Sequence, residues 1–410
     1  MELRPILSTL LRHKTAAALI VLEIALSCAI VCNALFLIGN RIERISLPSG
    51  VAEEEIVRVQ LTGIGTGDDD DALTSSDLAA LRGLPGVKAA TATNQVPFVN
   101  SSWNSGVKLS RDQKRPTLNA TQYMAGAQFL DTLGLRLVAG RDFTPDEFQQ
   151  WSELTTPGTS ASIPSAIITR NMADRLFPGQ EAVGKSFYGG DDEPIRIVGV
   201  VEHLVRPGNN GGPAAREYSM IFPINVPYSL GGNYLLRTEP GRRDEVLKAA
   251  IAALERNGPN RIILTDNSKT LEALRDEFYR QDRAMIWLLV AVIVALLVVT
   301  ALGIVGLASF WVQQRTKQIG VRRALGATRG QILRYFQTEN FLLASVGIVL
   351  GMLLAFAINQ MLMGKYELPR LPLVYLPIGA VALWLLGQFA VFWPARRAAA
   401  VPPAVATRSV

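Results

Sequence analysis

The stretch Gln313–Gln331, QQRTKQIGVRRALGATRGQ, carries five cations, Arg315, Lys317, Arg322, Arg323 and Arg329, and no acid. The chemistry open to it is electrostatic. It can rest on anionic lipid, or it can dock on a protein surface of complementary charge. Arg315, Ile319, Arg322 and Arg323 fall near one another at helical spacing, with Leu325 following, and Gly320 and Gly326 permit breaks or close backbone contact. Composition alone leaves lipid and protein level.

Other candidates for chemistry are sparse. The two histidines, His13 and His203, fall in segments on opposite sides of a membrane-length run, so they cannot form a cluster. The chain has no G-x-S-x-G, no H-E-x-x-H and no G-x-x-x-x-G-K-[ST] phosphate loop. No catalytic residue and no metal ligand is assigned, and ATP is not expected to bind here in the P-loop manner. Cys28 and Cys32 share one helix face and read as small packing residues. The acidic run Asp68–Asp71 lacks the spaced ligands of a calcium loop and reads as a solvated loop. Glu23 lies seven residues into an apolar run, roughly 10 Å deep. An intramembrane carboxylate is a functional candidate, against which stands a pairing with a nearby basic residue or a protonated helix contact. Gly347 and Gly351 form a G-x-x-x-G that lets two helices approach closely, within one subunit or between two.

The elements that must position these residues are membrane helices. The 410 residues are 49% hydrophobic with mean hydropathy +0.22, more apolar than a soluble domain of this size. Four runs reach the roughly 20 residues needed to span a bilayer: Ala16–Ile38, Ala284–Trp311, Phe341–Met363 and Leu371–Trp393. Residues 41–283 hold 27 of the 41 Lys and Arg and 31 of the 35 Asp and Glu, so they are net acidic and the remainder is net basic. Basic residues flank the runs at Arg4, Arg12 and Lys14, across 312–340, and at Arg396, Arg397 and Arg408. The 364–370 connection has only Lys365 and Arg370, with Glu367. The positive-inside rule then places both termini and 313–340 in the cytoplasm and 41–283 outside. Cations that flank membrane-length runs argue against a nucleic-acid binder.

The expected order is a cytoplasmic segment 1–15, span 16–40, external domain 41–283, span 284–312, cytoplasmic segment 313–340, span 341–363, short loop 364–370, span 371–393 and tail 394–410. The first run exceeds a signal-peptide core and reads as an uncleaved anchor. The external segment reads as mixed α/β. Ile56–Leu61 alternates like a strand. Thr74–Leu84 and Asp244–Arg256 have helical spacing. Ala166–Thr169, Arg170–Phe177 and Ile195–Val201 suggest strand, helix, strand, and Ile262–Leu264 a short strand. Thr270–Arg283 reads as a helix that could run straight into the second span. Pro207–Pro213 reads as a loop. The domain has no cysteine, so disulfides do not hold it.

The segment QRTKQIGVRRALGATRGQIL resembles the signature E-R-T-x-E-I-G-I-R-R-A-L-G-A of the FtsX/MacB family of ABC-transporter permeases. The ending PARRAAAVPP from Pro394 resembles the family's PARRAARLDP. Leu133–Phe143 (LGLRLVAGRDF), Asn171–Gly179 (NMADRLFPG), Val183–Lys185 and Ile197–Val200 resemble its external domain. The resemblance covers nearly the whole chain. It implies four transmembrane helices, one then three, and a MacB-like domain with porter-like βαβ lobes and an inserted lobe. In that family the segment after the second span contacts the ATPase, and motion rather than substrate passes through the membrane. Carried over, Arg315, Lys317, Ile319, Gly320, Arg322, Arg323, Leu325, Gly326 and Arg329 would be ATPase-coupling residues. The implied partners are a separate ABC ATPase that holds ATP and Mg, a second permease subunit, membrane lipid, a periplasmic adaptor and an outer-membrane channel, in the bacterial inner membrane. A lipoprotein-release permease and an FtsX-like regulator of a cell-wall hydrolase remain alternatives. Gln314 and Gln318 replace the family's usual acids, and the chain lacks MacB's fused ATPase.

Overall fold

The computed structural model describes residues 14–64, 69–158, 162–189, 193–208, 216–239, 241–258, 261–366 and 370–400. Arg4, Arg12, His13, Asp68, Pro213, Glu367 and Arg408 lie outside them. Two compact units form, one from the residues up to Ser46 with those from Asp282 onward, the other from Leu47–Gln281.

In chain order the structure begins with helix α1 (Lys14–Ser46), strand β1 (Ile56–Gly63), helix α2 (Asp70–Arg82), β2 (Val87–Thr93), β3 (Asn104–Val107) and β4 (Leu118–Met124). Next come α3 (Phe129–Leu133), β5 (Leu137–Gly140), β6 (Gln149–Gln150), α4 (Trp151–Thr155), β7 (Ser165–Thr169), α5 (Arg170–Leu176), β8 (Ser186–Tyr188) and β9 (Pro194–Val201). They are followed by β10 (Ser219–Phe222), β11 (Ile224–Asn225), β12 (Asn233–Thr238), α6 (Arg243–Asn257), β13 (Arg261–Ile263), β14 (Lys269–Thr270) and α7 (Leu271–Phe278). The chain continues with α8 (Arg280–Gln314), α9 (Thr316–Ala324), α10 (Arg329–Tyr366) and α11 (Tyr375–Ala400).

The unit 47–281 is a mixed α/β domain built on two sheets. One has the order β13-β1-β12-β2, with β14 also on β1, and all its pairs are antiparallel. The other runs β3-β4-β10-β7-β9-β5, with β8 on β9. Within it β7 and β9 are parallel and joined through α5, a strand–helix–strand unit. Strands β7 and β10 are buried at every residue, as expected where both faces of a sheet are covered. Helix α6 buries Val246, Ala250, Ala253 and Leu254, one apolar stripe at helical spacing.

Two sequence expectations need correction here. Asp70 and Asp71 are not loop residues; they form the first turn of α2, where carboxylates favour the helix dipole. The helix expected over Thr270–Arg283 is not continuous. It ends at Phe278, Tyr279 leaves helical geometry (φ −93°, ψ 5°), and a new helix begins at Arg280.

The loop after β5 is held by a charge. Arg141 reaches both Glu147 oxygens, at 2.6 and 3.1 Å, and Thr144 N donates to Glu147 at 2.8 Å. The Arg141 bond holds the Glu147 carboxyl at about 2, below its ordinary 4.5. A depressed carboxylate stabilises the fold fully above 4.5, and that contribution fades as pH falls from 4.5 to about 2. Melting temperatures measured across this window should therefore fall more steeply for the wild type than for Glu147→Gln. Parallel slopes would refute the assignment.

The other unit is helical. Helices α1, α8, α10 and α11 are each long and apolar enough to cross a membrane. They overrun the lengths read from hydropathy: α1 continues to Ser46, and α10 starts twelve residues before Phe341, at Arg329. Exposed Trp287 and Trp393 stand toward opposite ends of the apolar stretches, the position of interfacial aromatic belts. Single cysteines at Ser110 and Thr328, in a background without Cys28 and Cys32, should react oppositely with an impermeant thiol reagent. Labelling of both from the outside of spheroplasts would sink the topology.

Candidate functional site: the basic segment after the second span

The basic stretch is not one helix. Helix α8 ends at Gln314, Arg315 leaves helical geometry (φ −102°, ψ 8°), and α9 covers only Thr316–Ala324. Gly326 at φ +96° ends α9, with its N–H on the Arg323 carbonyl at 3.1 Å and Ala327 N on the Arg322 carbonyl at 3.0 Å. A left-handed glycine after a helix is the usual stop. Helix α10 then starts with a reciprocal cap. Gln331 N donates to Thr328 Oγ1 at 3.3 Å, and Thr328 N donates to Gln331 Oε1 at 2.9 Å. The spacing T-x-x-Q in ATRGQ carried this signal.

The nine residues assigned to coupling divide into three buried, one half-buried and five exposed. Arg315, Ile319 and Gly320 are buried and face the bundle, so they are not on an outer docking surface. Arg315 Nη1 bonds both oxygens of Glu339 on α10, at 3.0 and 2.9 Å, and its guanidinium lies 5.6 Å from the Trp311 ring. Glu339, the one acid in 312–340, is thus the residue that the sequence reading passed over. Its isolation among cations was the available signal. Arg323 is half-buried and donates to the Ala399 carbonyl of α11. The exposed set is Lys317, Arg322, Leu325, Gly326 and Arg329. Arg322 lies over Tyr335, 5.0 Å from the ring centroid. A groove of about 230 Å³ runs between α9 and the start of α10, lined by Gln318, Ile319, Arg322, Ile332 and Tyr335 among others. Outside the groove lining, Val321 is 51% and Leu325 84% exposed, four residues apart.

The spans that support this segment are tied by small residues and polar pins. Gly347 and Gly351 of α10 face α1. A Cβ on Gly347 would lie 2.9 Å from Ile24 Cβ, and one on Gly351 would lie 2.5 Å from Cys28 Cβ and 2.7 Å from the Ala25 carbonyl. The G-x-x-x-G therefore serves contact within one subunit. Asn33 Nδ2 donates across the same seam to the Ala355 carbonyl at 3.1 Å. Ser27 and Thr300 join α1 to α8 at 2.7 Å. Asp282, at the start of α8, pairs with Arg41 and, at 3.5 Å, with Arg44 of α1. Glu23 packs its carboxylate over Gly303 of α8, a helix contact, and makes no ion pair among the described residues, which leave out Arg4 and Arg12.

Comparison with known proteins fits this architecture. Residues 17–254 match the model of the MacB-like periplasmic core domain, and residues 290–403 match the FtsX-like permease C-terminal model. The chain is 28% identical over 368 residues to the macrolide export ATP-binding/permease protein MacB of Shewanella sp. (strain ANA-3), covering 83% of this chain and 50% of that one. It is 23% identical over 385 residues to an uncharacterized ABC transporter permease, YknZ, of Bacillus subtilis (strain 168), covering 90% and 85%. The chain spans about half the length of the MacB relatives. Among solved structures, the extracellular domain of YknZ aligns over 50% of this chain and 99% of its own, with 18% identity and TM-score 0.31. With one family model covering more than half of its residues and a second covering three of its four spans, the chain belongs to the MacB/FtsX family of ABC transporter permeases, multi-pass proteins of the bacterial inner membrane with a periplasmic domain.

Proposed function

We propose that this chain is the permease subunit of a MacB-type transporter, passing ATP-driven motion from a separate ATPase subunit to its periplasmic domain. A second permease subunit would complete the complex. A periplasmic adaptor and an outer-membrane channel would carry the substrate outward. ATP and Mg would reside on the ATPase, and the purified chain should not hydrolyse ATP alone.

The observation that supports this reading is the rim of α9. Leu325 and Val321 stand exposed close in sequence to Arg322, which lines the groove. Exposed apolar side chains next to a cation, on a short helix between two spans, suit a partner that covers them. The buried face of the same helix, through Ile319 and the neighbouring Arg315–Glu339 pair, ties it to α10. A push on the rim would then reach the span.

Reversing Arg322 alone is a cleaner test than reversing Arg322 with Arg323, because Arg323 holds α11 within the chain. An Arg322→Glu, Leu325→Asp double variant should lose its ATPase. Reversed charge and a lost apolar anchor across an interface cost several kcal/mol, whereas one charge resting on lipid contributes about 1 kcal/mol. Co-purification of the native complex reads the difference. A double variant that inserts normally and still retains its ATPase with full transport would end the docking reading.

A further inference from the structure

A cleft of about 340 Å³ opens in the unit 47–281, between the segment leading into α3 and the loop joining β5 to β6. Its size falls at the lower end of small-molecule sites. The walls are apolar: Phe129, Leu130, Phe143 and Phe148 line it. Phe143 and Phe148 meet edge to face, ring centroids 6.0 Å apart. Three polar residues join them, Gln128, Asp142 and Asn225. The wall at Gln128 is held at φ +66°, a left-handed conformation in a residue other than glycine. Such local strain collects at ligand clamps.

Asp142 is the informative group. Its carboxylate accepts from Phe143 N at 2.7 Å and makes no ion pair among the described residues. The neighbouring Arg141 acts on it through space only and makes no bond to the carboxylate. That guanidinium is engaged by Glu147 and by the Asp142 carbonyl. Partial desolvation first, with the like charges of Asp131 and Glu147, pushes the Asp142 carboxyl up, while the Phe143 bond and the Arg141 charge pull it back. Asp142 is exposed and makes no ion pair among the described residues, and it lines the same cleft as two phenylalanines, a set of groups that a cation would satisfy twice. It would pair with the oxygen and rest against the aromatic surface.

We propose that this cleft binds a compact organic ammonium ion, its charge on Asp142 and its apolar body against Phe143 and Phe148. Asn225 would supply a hydrogen bond that orients it. The proposal stands without the coupling reading, since the cleft shares no residue with α9.

The test uses the full chain in zwitterionic lipid nanodiscs and isothermal titration with phenethylammonium, against phenethyl alcohol as the neutral counterpart. The wild type should bind the ammonium at least about tenfold more tightly than the alcohol, the scale of one charge-assisted bond. Asp142→Asn should erase that preference and leave the weak alcohol affinity unchanged. Phe143→Leu with Phe148→Leu keeps an apolar wall but removes the ring faces. It should lower the ammonium preference while Asp142 is intact, so it decides the matter even where Asp142→Asn folds poorly. The proposal is overturned if the wild type shows no saturable ammonium binding below ~10 mM, or if both variants keep the wild-type preference. The assay contains no ATPase, so failure of the coupling reading leaves its outcome untouched.

Discussion

Replacing Glu339 by alanine is expected to destabilise the helical unit by about 3–5 kcal/mol, the cost of stranding a buried charge. Arg315 and Glu339 are both buried, 7% and 1% exposed. Their bonds join the end of the second span to α10 across 24 residues of sequence. Arg315 Nη2 finds no acceptor among the described residues, so without Glu339 the guanidinium keeps only its contact with the Trp311 ring. The double variant Arg315→Met, Glu339→Met should recover much of the loss, because an apolar pair of similar volume often replaces a buried ion pair at little cost. Melting of the purified chains in nanodiscs measures both. An alanine variant as stable as the wild type would mean that the pair is solvated and does not pin α9. If the double variant folds well yet fails in transport, the pair serves coupling beyond stability.

Gly351→Leu should be nearly as damaging, at about 3 kcal/mol or more, the upper part of the range for overpacking. Even a Cβ at this position would sit 2.5 Å from Cys28 Cβ and 2.7 Å from the Ala25 carbonyl. The Ala25 carbonyl is backbone and cannot rotate away, so α1 and α10 must separate. Parting them also strains the Asn33 bond to Ala355. Gly306→Leu is the control, since nothing lies within 4 Å of its Cβ position, and it should change stability by no more than about 0.5 kcal/mol. Equal melting temperatures for the two variants would exclude a tight α1–α10 seam.

Much of the site was legible in part. The sequence located the basic segment between two spans and allowed a break or close contact at Gly320 and Gly326 alike; the helix runs through Gly320 and ends before Gly326. The sequence treated the nine coupling residues as one surface. Helical spacing identified neighbours along α9 but could not say which side would be covered. Arg315 looked like its fellow cations until the fold brought Glu339 to it. Glu23 left a basic partner and a helix contact both open, and the fold sets its carboxylate against Gly303 of α8.

By itself the sequence determined the four membrane helices and the α/β character of the domain between the first two, and it set the orientation that the cysteine labelling tests. Those properties follow from the length of apolar runs, the placement of Lys and Arg and local periodicity, each readable within a few turns of chain. Only the tertiary structure decided which cations face outward, that Gly347 and Gly351 serve α1 of the same subunit, and that Phe143, Phe148 and Asp142 share a cleft with Phe129 and Asn225. Each of these depends on contacts between residues far apart in sequence. A side chain's charge or size is written in the chain, but what lies within a few ångströms of it is set by the packing of other elements, which no local pattern encodes.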